Sequence, residues 1–124
     1  MKLKSLDEVW QEIVTFNDTH FPDWRGWDWR LTSNALAGEV GEVCDATKHF
    51  YGGGTNSSVG KITRREIAKE IFDVLVYATL LIGEMEYSRE DFIDICKEKL
   101  LVLYQRMEIR KTKSVLRQKF NNEA

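Results

Sequence analysis

Apolar residues recur at helical spacing through four stretches of this chain, and each stretch opens on a capping signal. Ser5-Leu6-Asp7-Glu8 has the form of a capping box, and Leu6, Val9, Trp10, Ile13 and Phe16 follow three or four residues apart, so a first amphipathic helix is expected to about Asn17. The pattern breaks over residues 20–30, where Pro22 and Gly26 punctuate a segment holding Trp24, Trp27 and Trp29 with Arg25 and Arg30: an aromatic, cationic loop. Thr32 or Ser33 is placed to cap a second helix to about Phe50, with Leu36, Val40, Val43 and Cys44 as its apolar stripe. Thr63-Arg64-Arg65-Glu66 is another capping box. It opens a third helix to about Glu84, striped by Ile67, Ile71, Val74, Leu75, Ala78 and Ile82. Ser88-Arg89-Glu90-Asp91 starts a fourth helix, to about Arg110 or beyond.

The fourth pattern differs from the others. Phe92, Ile93, Ile95, Cys96, Leu100, Leu101, Leu103 and Met107 wrap more than one stripe, which calls for two buried faces, one on the same chain and one on a partner subunit. The expected fold is therefore all-α: four main helices in a bundle, assembled by homo-oligomerisation. A single domain is expected over 1–112, followed by a basic tail over 113–124 that includes Lys113, Arg117 and Lys119. Residues 52–60, Gly-Gly-Gly-Thr-Asn-Ser-Ser-Val-Gly, have the composition of a flexible connection between the second and third helices. They are not a phosphate-binding loop: the only Gly-Lys pair, Gly60-Lys61, is followed by Ile62 where Ser or Thr is needed.

With 124 residues, one core suffices. A net charge of −2 gives no general attraction to nucleic acid or to an anionic membrane, so neither is expected as a partner. The apolar run from Val74 to Gly83 is too short to span a bilayer, and residues 1–12 lack the apolar segment of a secretory signal. Cys44 and Cys96 sit within apolar helical patterns without CxxC spacing, and read as buried free thiols in a reducing cytoplasm.

Chemistry enters with the acids. Glu39 and Glu42 on the second helix, and Glu70 and Asp73 on the third, are pairs three residues apart, a spacing that puts both carboxylates of a pair on one helix face. If the two helices lie side by side, four carboxylates share one small volume. Like charges about 4 Å apart repel by roughly 1 kcal/mol in water and by several-fold more where water is partly excluded. Such a cluster needs a cation, and hard oxygen ligands suit Mg²⁺ or Mn²⁺, whose remaining ligands are commonly phosphate oxygens. Asp73 lies inside Ile71-Phe72-Asp73-Val74-Leu75, where an acid requires either a metal or a salt bridge. A di-iron site would want Glu-x-x-His, and neither His20 nor His49 stands three residues after a Glu. Gly38 and Gly41 each cost about 1 kcal/mol against alanine in a helix interior, which asks for close approach of a helix or a ligand.

Glu39-x-x-Glu42 followed by Glu70-x-x-Asp73, together with the phrases Gly-Glu-Val-Gly-Glu and Asp-Val-Leu-Val-Tyr, resembles the MazG-like all-α nucleoside triphosphate pyrophosphohydrolases from about Leu31 to Arg106. The wording is similar to the branch that hydrolyses dCTP and its modified forms, and Gly38, where many members carry a third acid, agrees with that branch. The resemblance implies a homodimer or homotetramer that uses Mg²⁺ to cleave a nucleoside triphosphate, here a deoxynucleotide, to monophosphate and pyrophosphate. It implies Glu39, Glu42, Glu70 and Asp73 as metal ligands, one of which also orients or deprotonates the attacking water. Lys99 and Arg106 match two of the three substrate-binding positions of the family's last helix, whereas Leu101 and Leu103 stand where an Asn is usual. Trp27 and Trp29 offer surfaces for stacking a base or for packing in a core, Tyr77 lies one turn beyond Asp73, and Lys48 reaches a phosphate only through its flexible stem. The competing reading is a non-catalytic helical interaction module in which the acids form salt bridges between helices.

Overall fold

The computed structural model describes residues 1–51 and 62–123; the glycine-rich segment read as a flexible connection lies outside them. Within the described residues all regular structure is helical. The helices are α1 (Leu6–His20), α2 (Trp29–Tyr51), α3 (Arg64–Glu84) and α4 (Arg89–Glu123), with a short 3-10 turn, Trp24–Gly26, between α1 and α2. They divide into two compact units, Met1–Glu86 and the segment from Tyr87 onward.

The capping signals act locally, with one redistribution. Thr63 caps α3 as a full capping box: its hydroxyl accepts from the Glu66 N–H and the Glu66 carboxylate accepts from the Thr63 N–H. Ser88 and Asp91 exchange the same pair of bonds at the start of α4. Ser5 accepts from the Glu8 N–H at 3.1 Å, but the Glu8 carboxylate accepts from the N–H of Lys4 rather than that of Ser5. At α2 the expected cap is wrong. The helix begins three residues before Thr32, and the Asp28 carboxylate accepts from the Arg30 N–H at 3.0 Å while also taking the Arg30 guanidinium. Hydrogen-bonding to both Arg30 groups holds the Asp28 carboxyl below its ordinary range.

In the first unit α3 is the common partner of α1, the 3-10 turn and α2. Thr32 near the start of α2 meets Glu84 at the end of α3, and Glu39 meets Glu70 and Asp73 further along, so α2 and α3 run antiparallel. Ile13, Trp24 and Leu80 form the core, with Val9, Val14, Leu75, Val76 and Tyr77 packed around it. In the aromatic, cationic segment over residues 20–30, Trp24 belongs to the core. It is 1 % exposed, its indole N–H donates to Asp18 Oδ1 at 2.8 Å, and the Arg25 guanidinium, paired with the same carboxylate, stacks 4.3 Å over its ring. The ring fits there because Gly83 has no side chain: a Cβ would stand 2.7 Å from Trp24 Cζ3 and closer still to Cη2. The glycine that a packing contact requires is thus Gly83, whereas a Cβ at Gly38 or Gly41 would meet no described atom within 4 Å.

Both cysteines are exposed, against the expectation of burial. Cys44 lies one position to the side of half-buried Val43, and Cys96 belongs to α4, a 35-residue helix none of whose residues is buried. None of the helices, among the described residues, is long and apolar enough to cross a membrane.

Burial of Glu84 was not legible from the chain. It is 6 % exposed; Oε1 accepts from the Thr32 hydroxyl at 2.6 Å, and Oε2 is buried without a hydrogen-bond partner. Burial, aided by the negative charge of Asp28 and opposed by the Thr32 hydrogen bond, raises its pKa above the ordinary 4.5. The folded chain holds this proton more tightly than the unfolded chain. The corresponding stability is fully present below the unfolded-state value and is lost as pH rises through the folded one. Urea midpoints measured between about pH 4 and pH 8 are therefore expected to carry a falling component that Glu84→Gln removes. An unchanged slope in the variant would refute the assignment.

Candidate functional site

Glu39 projects from α2 about three turns after its start, Glu70 and Asp73 from the middle of α3. The three-residue spacing of Glu70 and Asp73 aligns them on one face of α3, and the antiparallel packing of α2 brings Glu39 to the same place. One carboxylate oxygen from each of the three lies within 4.8 Å of the others, and all three residues are half-buried. Glu42, one turn along α2 from Glu39, is exposed and stands outside that set of three, yet it belongs to the same electrostatic group. Partial desolvation, then the charges of Glu42, Asp73 and Glu70, raise the pKa of Glu39. Partial desolvation, then the charges of Glu42 and Asp73 and a side-chain hydrogen bond shared with Glu42, raise that of Glu70.

Ion pairs among the described residues engage Asp18, Asp28, Asp45, Glu90, Asp94 and Glu108 rather than the acids of this cluster. Three hard anionic oxygens on one small perimeter, held by two packed helices, match the donor set of Mg²⁺ or Mn²⁺ in chemistry and number. Soft-metal and imidazole chemistry does not fit them. His49 is occupied elsewhere, its Nδ1 lying 2.8 Å from Asp45 O and 3.5 Å from the Asp45 carboxylate.

A cavity of about 670 Å³ adjoins the acids, with Glu39 and Asp73 in its wall. Its other walls are mostly apolar: Ile13 and Phe16 from α1, Phe21 and Trp27 from the segment after it, and Phe72, Val76, Tyr77 and Leu80 from α3. This volume lies within the usual range for small-molecule sites, roughly 300–1,000 Å³. Phe16, Phe21 and Trp27 make a chain of aromatic contacts, with ring centroids 6.4 Å apart for the first pair and 5.7 Å, edge to face, for the second.

Of the residues singled out in the sequence, Glu39, Glu70 and Asp73 converge, Glu42 flanks them, and Tyr77 and Trp27 line the adjoining cavity. Trp29 is not part of the cavity wall; it is the first residue of α2 and about half exposed. Lys48 is exposed near the end of α2, two and a half turns from Glu39, and is absent from the cavity wall. Lys99 and Arg106 belong to the second unit and are exposed there. The cavity also includes Glu12 and Asn17, which the sequence reading passed over. Asn17 had a signal: it follows Ile13 by four residues, on the face of α1 that is otherwise apolar.

No protein-family model, curated protein or solved structure matches this chain.

Proposed function

We propose that this chain is a Mg²⁺-dependent nucleoside triphosphate pyrophosphohydrolase of the MazG-like type, acting on deoxynucleotides in nucleotide-pool house-cleaning. The observation that carries the reading is the junction of two unlike surfaces. Half-buried carboxylates from two helices converge within 4.8 Å, and two of them form part of the wall of a largely apolar, aromatic cavity. A ligand matching both surfaces has a charged end that reaches the acids only with a divalent cation, and a flat, apolar end for the cavity. A nucleoside triphosphate with Mg²⁺ meets both demands.

Glu39, Glu70 and Asp73 are the residues that would hold the cation, which when bound offsets phosphate charge and acidifies water. The carboxylates repel one another until a cation is present, so the site is arranged to bind rather than to rest empty. Glu42 lies beside the three and within reach of Glu70. We assign it to orient the attacking water and accept its proton as the new phosphorus–oxygen bond forms. The bond between the α- and β-phosphates breaks and pyrophosphate leaves. Phe16, Phe21, Trp27 and Tyr77 supply stacking surface for the base and exclude water from its faces.

The proposal includes a homodimer or homotetramer. The apolar residues Leu100, Leu101, Leu103, Met107, Val115, Leu116 and Phe120 of α4 are all exposed, as are Val40, Ile71 and Phe72 on α2 and α3, more apolar surface than a lone chain ordinarily leaves in water.

The test is pyrophosphate release from a panel of canonical and modified deoxynucleotides. Activity that requires Mg²⁺ or Mn²⁺ and is lost with chelator is expected. Mg²⁺ alone is expected to raise the melting temperature, since a ligand that binds only the folded state stabilises it by mass action. A panel without turnover, together with a melting temperature indifferent to Mg²⁺, would overturn the reading.

A further inference from the structure

The last turn of α3 carries a carboxyl that the proposed reaction does not use, in a seat built against charge. Glu84 is 6 % exposed; Oε1 accepts from the Thr32 hydroxyl, and Oε2 is buried without a hydrogen-bond partner. It is the final residue of α3, where the helix carbonyls present partial negative charge, and that last turn contains no basic residue. Asp28, ahead of α2, adds a full negative charge to its surroundings, and Arg30 is paired with Asp28 itself. On the Trp24 side, Asp18 from α1 and Arg25 from the 3-10 turn are paired with each other beside the ring that packs on Gly83. A neutral Glu84 fits this seat, and an ionised one does not.

The same seat joins the pieces that shape one wall of the cavity. Thr32, 7 % exposed, ties the first turn of α2 to the end of α3 through Glu84. Gly83, the preceding residue, makes room for the Trp24 ring. The Trp24 carbonyl accepts from the Trp27 N–H at 3.1 Å, and Trp27 lines the cavity. From Glu84 to the wall the contacts therefore run through Gly83, a rigid ring and one backbone hydrogen bond.

We infer that Glu84 is a pH-operated catch on the cavity wall: as a neutral acid it holds the start of α2, the Trp24 turn and the end of α3 together, and as a carboxylate it releases them. The inference holds whether or not the cavity takes a nucleotide. Release is how the carboxylate reaches water, since separating the two helix ends hydrates Oε2 at the expense of the Thr32 bond and the seat of Trp24. Burial and the charge of Asp28 raise the pKa of Glu84 above the ordinary 4.5 against the pull of the Thr32 bond. The catch is thus closed at low pH and opens as pH rises through the folded-state value.

Amide hydrogen exchange followed by mass spectrometry between about pH 5 and pH 8, corrected for the intrinsic pH dependence of exchange, tests this on the whole chain. Peptides covering residues 22–33 and 78–86 are expected to lose protection severalfold across that range, while peptides from residues 6–14 keep theirs. Glu84→Gln, neutral and of similar shape, is expected to hold both segments closed at every pH. Asp28→Asn removes the neighbouring charge and is expected to give a smaller loss, centred at lower pH; it decides the matter if the glutamine form fails to fold by circular dichroism. Protection in the unaltered protein that does not change with pH, an equal loss in folded Glu84→Gln, a loss spread equally over residues 6–14, or an undiminished loss in Asp28→Asn would overturn the inference. None of these outcomes depends on turnover, so the enzyme reading stands or falls separately.

Discussion

Asp73→Asn is expected to lower pyrophosphate release by about a hundredfold or more while raising, not lowering, the melting temperature of the metal-free protein. The loss of activity follows from the geometry. Asp73 contributes one of three carboxylate oxygens within 4.8 Å of one another, and on the proposed function an amide in its place offers a neutral, weaker ligand where phosphate charge is to be offset. Removing a metal interaction worth several kcal/mol translates directly into orders of magnitude in rate. The gain in stability has the opposite sign because the same charge repels its neighbours: Asp73 is among the causes that raise the pKa of both Glu39 and Glu70. Neutralising it relieves that repulsion in the absence of a cation, the exchange between stability and function that the proposed metal site entails. Glu39→Gln and Glu70→Gln are expected to behave in the same way. Thermal melts with and without Mg²⁺, beside the rate measurement, separate this account from one in which the acids are structural. If Asp73→Asn lowers the metal-free melting temperature, the acids are holding the helices together and the interaction-module reading is the correct one.

Gly83→Ala is expected to destabilise the first unit by about 1–3 kcal/mol, the usual cost of overpacking a core, with a drop of several degrees in melting temperature. Two effects oppose each other. Alanine is favoured over glycine inside a helix by about 1 kcal/mol, and Gly83 lies within α3. The added methyl carbon, however, would lie 2.7 Å from Trp24 Cζ3, well inside contact distance, and it meets a rigid aromatic ring that is itself 1 % exposed. Trp24 has little freedom to withdraw, because its indole N–H is bonded to Asp18 and Arg25 covers its face. The steric cost outweighs the propensity gain. A double-mutant cycle with Trp24→Leu provides the check: the two substitutions are expected to be strongly non-additive, the alanine costing little once the ring is gone. Additive effects would show that the clash is not the cause.

Several parts of this fold were legible along the chain because their causes are short-range. The Thr63/Glu66 and Ser88/Asp91 boxes operate over three residues, so they act at the positions where the sequence puts them. The alignment of Glu70 with Asp73 needs only the helical repeat. Thr32 shows where such reasoning fails. It has the chemistry of an N-cap, but Asp28 lies where the chain turns into α2, and the Thr32 hydroxyl is spent on a carboxylate 52 positions away. The burial of Trp24 is likewise a long-range matter: its neighbours Pro22, Arg25 and Gly26 mark only a break in the helical pattern, and the space its ring occupies is the one left by Gly83. The two cysteines share an apolar local pattern, and periodicity alone does not say which apolar face is covered.

The acidic cluster divides along the same line. The sequence by itself determined the four carboxylates and their pairing on two helices, since charge and helical spacing are carried by neighbouring residues. Only the tertiary structure decided that Glu39, Glu70 and Asp73 converge while Glu42 stands to one side, and that an apolar cavity with Asn17 in its wall adjoins them. Those facts depend on the register in which α2 and α1 pack against α3, and that register is set by contacts between residues far apart in the chain, such as Thr32 with Glu84 and Trp24 with Gly83.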